Sequence, residues 1–214
     1  MSEPASGQGA RQDLETSRIE AFSDGVFAIA ITLLVLELKA PAEDIARGAL
    51  WEHLRAEWPQ FGAYLTSFAI IGVMWVNHHS MFNQIVRADR ALMFLNLLLL
   101  LWTAVLPFPT ALVSQYLGRG GTDAHVAAAL YSANLTLAAI AFSLIWVHAV
   151  RGGRLLARPM APGPERASIL RFSVGTFVYG ATIGLSFVSA PVTLAVQFLI
   201  ALYYAFEQIR SREA

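Results

Sequence analysis

The sequence predicts an all-α integral membrane protein with six transmembrane helices per subunit. Three features carry that prediction. Of the 214 residues, 56% are hydrophobic and only 14% charged, whereas a soluble domain usually carries about a quarter charged residues. The charges fall in short clusters, and no Asp, Glu, Lys or Arg occurs over residues 91–118, 124–150 or 172–206. Each of these stretches exceeds the roughly 20 apolar residues that cross about 30 Å of hydrocarbon. Finally, the basic residues alternate between the two sides of such a plan. Buried helices of a soluble core would still need a polar face toward water, and these stretches have none.

Residues 1–17 are polar and read as a disordered cytoplasmic tail. They lack the basic start and early apolar core of a cleavable signal peptide. A six-helix domain is expected over residues 18–208, followed by a short cytoplasmic tail over 209–214. The first span covers residues 18–38, with Thr16 and Ser17 as N-caps and Pro41 beyond its end. In the connection that follows, Ile45, Leu50, Trp51 and Leu54 recur at helical spacing. The second span covers 58–82 and the third 90–117, where Gly118, Gly120 and Gly121 make the next turn. The fourth covers 123–150, and a loop rich in Arg, Gly and Pro leads to the fifth at 168–190. The stretch 172–206 is 35 residues long, too long for one span at ordinary tilt. Pro191 has no amide donor and disfavours helix in the residue before it. A tight turn there separates the fifth span from a sixth that ends near Glu207.

Loop charge sets the orientation. Arg11, Arg18, Arg87, Arg90, Arg151, Arg154, Arg158, Arg166, Arg171, Arg210 and Arg212 fall on the side of the termini. Lys39, Arg47, Arg55 and Arg119 fall on the other. Eleven against four places both termini in the cytoplasm.

Ionisable groups inside spans are costly and mark pathways or structural pairs. The first span opens with Arg18, Glu20, Phe22, Ser23 and Asp24. Arg18 and Asp24 are six apart and do not face each other on one helix, so each is expected to meet a neighbouring helix. These residues alone leave open a buried polar clamp or an ion-binding site. Further along, Ile29, Thr32, Leu33 and Leu36 share a face at i, i+3, i+4 and i+7, a pattern equally suited to lipid contact, packing or a pore. In the second span, Trp75 shares a face with His78 or His79. The adjacent histidines point about 100° apart and cannot chelate one ion from a straight helix. Packing, hydrogen bonding and proton handling stay open for them, and a zinc site would need three or four ligands. Asn96 lies in the third span, and Pro107 with Pro109 predicts a kink whose freed carbonyls need partners.

Cysteine is absent, which excludes thiol chemistry and cysteine metal cages. No P-loop, dinucleotide fingerprint or basic patch with interleaved aromatics is present. Nucleic acid is therefore not an expected partner, and no metal or other cofactor is expected. Ser80 beside His79 is the one nucleophile–base candidate, and adjacent helical side chains diverge, so an enzyme is not expected.

Arg18, Phe22, Ser23 and Asp24 resemble the Arg-x-x-x-Phe-Ser-Asp signature of the transmembrane-protein-175 channels. The continuation through Gly25, residues 28–32 and Leu36-Glu37-Leu38 is similar to bacterial members. So are Trp75 with His78 and His79, and Asn96 followed by Pro107 and Phe108. The resemblance covers residues 18 to about 207. It implies a homotetramer of six-helix subunits in which the first helix lines a central pore. The permeant ions would be monovalent cations, with potassium preferred over sodium. Ile29 would form the narrowest ring, with Thr32, Leu33 and Leu36 as further layers. Arg18, Phe22, Ser23, Asp24, Trp75, His78, His79 and Asn96 would form the polar support network. Animal members sit in endosomes and lysosomes and also pass protons in some conditions. With one Lys among many Arg, this chain suits a high-GC bacterium and hence a plasma-membrane location. Competing readings are a proton-coupled transporter or proton leak built on Asp24 and the histidines, and a structural scaffold. No second Arg-x-x-x-Phe-Ser-Asp marks an internal repeat of the kind transporters often carry.

Overall fold

The structure is a computed structural model. It describes the backbone of residues 6–40, 48–151, 153–158 and 161–213, with side chains over 16–205 except 162 and 171. Within these residues the chain forms α1 (Ser6–Leu33), α2 (Leu50–Ala56), α3 (Trp58–Phe82), α4 (Arg90–Val105), α5 (Pro107–Tyr116), α6 (Gly121–Val150), α7 (Pro162–Ser186) and α8 (Ala190–Glu213). Short 3-10 turns extend α1 through Leu34–Glu37 and α5 through Leu117–Arg119. Among the described residues, five segments are long and apolar enough to cross a membrane: Thr16–Glu37, Trp58–Phe82, Arg90–Arg119, Gly121–Val150 and Gly163–Ser186. The apolar part of α8, Ala190–Ala205, is shorter.

Local chemistry explains most boundaries. Asp89 caps α4, its carboxylate accepting from the Leu92 N–H at 2.8 Å, as N-cap acids do. Pro107 cannot donate to the preceding turn, so the third apolar segment breaks at Leu106 between α4 and α5. The Trp102 carbonyl beside the break accepts from Asn134 Nδ2 on α6 at 3.0 Å, the partner a freed carbonyl in lipid requires. Pro191 sits in the first turn of α8, where its missing donor costs nothing. The turn between α7 and α8 falls at Phe187–Ser189, as the proline predicts.

Three boundaries differ from expectation. Helix α1 begins at Ser6, so residues 6–17 are helical rather than an irregular tail, and Thr16 and Ser17 lie inside the helix. Gln8, Ala10, Arg11, Gln12, Leu14 and Glu15 are good helix formers, and a helix already nucleated in the span propagates cheaply into them. The same holds at the other end, where α8 continues through residues 209–213. Helix α7 starts at Pro162 rather than near Ser168, because Pro162 and Pro164 in a first turn have φ preset for helix. Ile45 of the expected amphipathic connection lies outside the described residues. Its neighbours Leu50, Trp51 and Leu54 belong to α2.

Helix α6 is the hub. It packs on α4, α5, α7 and α8 and buries Tyr131, Leu135, Ile145 and Trp146. Two apolar clusters run along it. One centres on Leu34, Ile71, Leu106 and Tyr131, the other on Met81, Leu92, Ile145 and Trp146. Polar ties cross the helices between them. Ser67 Oγ lies 2.8 Å from both Thr110 Oγ1 and the Tyr131 hydroxyl, and Gln197 Nε2 donates to Ser132 and Thr182.

At one end, the connection after α3 pairs with the connection after α6. Val86 N–H donates to Leu155 O at 2.9 Å and Ala157 N–H to Gln84 O at 3.1 Å, a single antiparallel bridge. His148, in the last turn of α6, bonds Asp89 at 2.9 Å. Burial alone would raise the Asp89 carboxyl. The Leu92 N–H and His148 outweigh it and hold the group below its ordinary range.

Candidate pore-lining site

Helix α1 has two unlike faces. Ser23, Phe27, Ala30 and Leu34 recur at i, i+4, i+7 and i+11 and are buried where α1 packs on α3 and α4. The opposite strip carries Phe22, Gly25, Ile29, Thr32, Leu33 and Leu36, all exposed within the single chain. Ile29 is 61% and Leu36 69% exposed. The four residues expected to line a pore therefore share one uncovered strip. The Thr32 hydroxyl donates back to Ala28 O or Ile29 O, each 2.9 Å away. Its proton is spent within the helix, so a remaining lone pair faces the strip.

Below Ile29, three polar ties fix this helix. The first is a buried chain through three helices. His78 Nε2–H on α3 donates to Asn96 Oδ1 on α4 at 2.9 Å, and Asn96 Nδ2–H donates to Ser23 Oγ on α1 at 2.9 Å. Ser23 then donates to Ile19 O at 2.8 Å. Every donor in the chain points the same way and it ends on a backbone carbonyl. Phe27, Phe82 and Phe142 surround the His78 ring, with Phe82 stacked at 4.2 Å.

The other two ties form a ladder between antiparallel α1 and α3. Trp75 Nε1–H donates to Asp24 Oδ1 at 2.9 Å. One turn away, His79 Nδ1 meets Glu20 Oε1 at 2.8 Å, and the Trp75 and His79 rings stack at 6.3 Å. Both histidines thus join the network, His78 in the buried chain and His79 in the half-exposed ladder.

Arg18 and Phe22 do not. Both are exposed and border a surface groove with Met93 and Leu97, and among the described residues Arg18 has no hydrogen-bond partner. Five residues turn a helix by about 500°, which points Arg18 away from the face that Ser23 buries. Asp24 does meet a neighbouring helix, as expected. Glu20 is the network member that motif reading passes over, yet a signal exists: Glu20 and Asp24 are one turn apart, as are Trp75 and His79. The Ser67–Thr110–Tyr131 tie carries no such spacing, because its members come from three separate helices. Among the described residues, no three of His, Cys, Asp and Glu converge as metal ligands would.

Several membrane-length helices, with the first braced on one side by buried polar groups and bare on the other, define a multi-pass membrane protein with an unpartnered apolar helix face. Residues 18–107 match the model of the endosomal/lysosomal potassium channel TMEM175. The chain is 51% identical to a potassium channel of Streptomyces collinus over 91% of this chain and 94% of that one. It is 44% identical to a potassium channel of Chamaesiphon minutus over 92% and 96%. The fold matches the crystal structure of a lysosomal potassium-selective channel TMEM175 homolog from Chamaesiphon minutus with a TM-score of 0.79. That match is 42% identical and covers 91% of this chain and 98% of that one. The chain belongs to the bacterial branch of the TMEM175 family.

Proposed function

We propose that this chain is one subunit of a homotetrameric potassium-permeable channel of the plasma membrane, with six spans and both termini cytoplasmic. Four copies of α1 would surround the pore, with Ile29 as its narrowest ring and Thr32, Leu33 and Leu36 as further layers. The observation that carries this reading is the bare strip of α1, continuous from Phe22 to Leu36 and apolar but for Thr32, on a helix whose other face is locked by polar ties. One helix cannot enclose a pore, whereas a closed cyclic assembly can. The names of the relatives at 51% and 44% identity support potassium as the permeant ion.

The mechanism follows from hydration. An isoleucine ring offers no ligand, so an ion passing it sheds part of its water shell. Potassium is larger and holds water less tightly than sodium, so stripping costs it less. The Thr32 oxygens, their protons already committed, would replace some of the lost water beside the ring. Apolar constrictions also gate by dewetting. Ser23 precedes Ile29 by six residues, about 9 Å along the axis at 1.5 Å per residue. The Ser23–Asn96–His78 chain and the two-rung ladder would set the depth and rotation of α1, and so the width of the ring.

The test is recording in planar bilayers with potassium on one side and sodium on the other. Discrete steps reversing toward the potassium potential are expected, and Ile29→Ala should reduce the discrimination. An unchanged permeability ratio and basal current in Ile29→Ala would remove the ring from the mechanism. Slow, saturable, proton-coupled uptake without unitary steps would instead favour a transporter using Glu20, Asp24 and His79.

A further inference from the structure

We propose that the end of the molecule formed by the paired connections holds the phosphate of an anionic phospholipid. Arg87, Ala88, Asp89, His148, Arg151 and Arg154, with Leu155, surround a recess of about 450 Å³. It lies where α3 and α6 end and α4 begins, so it sits at the membrane interface whichever way the chain is inserted. This placement does not depend on the channel reading.

The charge balance of the recess selects its ligand. Three arginines face one acid, and that acid is occupied: the Asp89 carboxylate accepts from Leu92 N–H and from His148. Among the described residues Arg87, Arg151 and Arg154 have no acidic partner, so the recess carries uncompensated positive charge. Guanidinium groups bind phosphate oxygens in bidentate pairs, and basic pockets between spans suit anionic headgroups. The frame is fixed before any ligand arrives. Leu155 O accepts from both Val86 N–H and Arg87 N–H, at 2.9 and 3.3 Å, and Leu155 and Leu156 are buried. Gly153 has φ +62°, a conformation other residues rarely adopt, and it turns the chain between Arg151 and Arg154.

An adjoining feature separates a lipid from a free anion. Ala88 also borders a mainly apolar groove of about 480 Å³, lined by Ile19, Phe22, Met93 and Leu97 together with Arg18 and Asn96. A basic recess and an apolar groove that meet at one residue match the two parts of a phospholipid: phosphate among the arginines, acyl chain along α1 and α4.

The experiment uses the full chain purified in mild detergent. It is offered phosphatidylglycerol and phosphatidylcholine of the same acyl chains in equal amounts, and retained lipid is counted by native mass spectrometry. The wild type should prefer phosphatidylglycerol by roughly thirtyfold to a hundredfold, as expected for two or three interfacial arginines. Arg151→Gln with Arg154→Gln should bring the preference near parity, and Arg119→Gln, at the opposite end, should leave it intact. Should the double variant fail to fold, Arg87→Gln alone should lower the preference several-fold. Equal retention of the two lipids by the wild type, or an unchanged preference in the arginine variants, overturns the site. Full competition by glycerol phosphate shows an anion site without a lipid and overturns the assignment. Retention insensitive to acyl-chain length shows the groove filled by something else, such as a second copy of the chain, and overturns the two-part site.

Discussion

Helices α1 and α6 are nearly equal in hydropathy and opposite in use. Their membrane-length windows have mean hydropathies of 2.0 and 1.8, yet 22% of the first and 50% of the second is buried inside the chain. Small residues explain the packing of α6: Ala127, Ala128, Ala138, Ala141 and Ala149 let its neighbours approach, and Tyr131 and Trp146 fill the spaces between them. Close approach through small side chains is how spans associate where lipid is as apolar as protein. Helix α1 touches the rest of the chain along one face, where Phe27, Ala30 and Leu34 are buried and hydrogen bonds at Glu20, Ser23 and Asp24 add to the packing. Apolarity measures whether a helix can enter a membrane. It does not reveal whether protein, lipid or a pore will face it.

Each half of that contrast can be broken separately. The largest effect should come from the hub: Trp146→Ala removes a side chain that is 1% exposed and should cost about 3–5 kcal/mol, read as a large drop in the melting temperature of the purified protein. Next is Asn96→Ala, which strips Ser23 and His78 of a buried partner. Soluble-protein values give about 1–3 kcal/mol for each orphaned group, and interhelical bonds in membranes average about 0.6 kcal/mol. A loss of about 1–2 kcal/mol is therefore expected. A loss below the membrane average would show that the chain positions α1 without stabilising it, a result that pore measurements on the same variant would sharpen.

Ile29→Ala should move the melting temperature little, since changes at exposed positions stay within about 0.5 kcal/mol, while changing the potassium-to-sodium ratio markedly. A large stability loss there would show that the bare strip is covered by a partner surface that Ile29 helps to hold. The smallest effect concerns pH. Asp89 is lowered in the folded state, so its stabilising contribution is present above the ordinary carboxylate value and is lost as pH falls through the lowered one. Because the pair with His148 is partly exposed, the slope should be shallow. Asp89→Asn should flatten the acid limb of a stability–pH curve, and an identical limb in the variant would remove Asp89 from it.

The legible parts of the fold were those written in periodicity and punctuation. Charge-free stretches located the spans, Pro107 located the break between α4 and α5, and Pro191 located the turn before α8. Two misplaced boundaries lacked punctuation, at Ser6 and at the far end of α8, where polar helix formers continue a span with no cap to stop it. The third, at the start of α7, carries Pro162 and Pro164, which open the helix there rather than belonging to the loop. At the site, the stripe of Ile29, Thr32, Leu33 and Leu36 was visible because helical spacing is a one-dimensional signal. The partners of Asp24 and Asn96 were not, because each lies on another helix.

Sequence by itself therefore determined that the chain enters a membrane, where its helices run, and which residues of α1 share a face, because hydropathy and the 3.6-residue repeat are local properties. Only the tertiary structure decided which face of α1 is locked and which is bare, that His78 is buried while His79 pairs with Glu20, and that two distant connections gather Arg87, Arg151 and Arg154 around one recess. Those outcomes depend on which helix lies beside which and in what register. That is set by the packing of side chains far apart in the chain, and no spacing within a single helix encodes it.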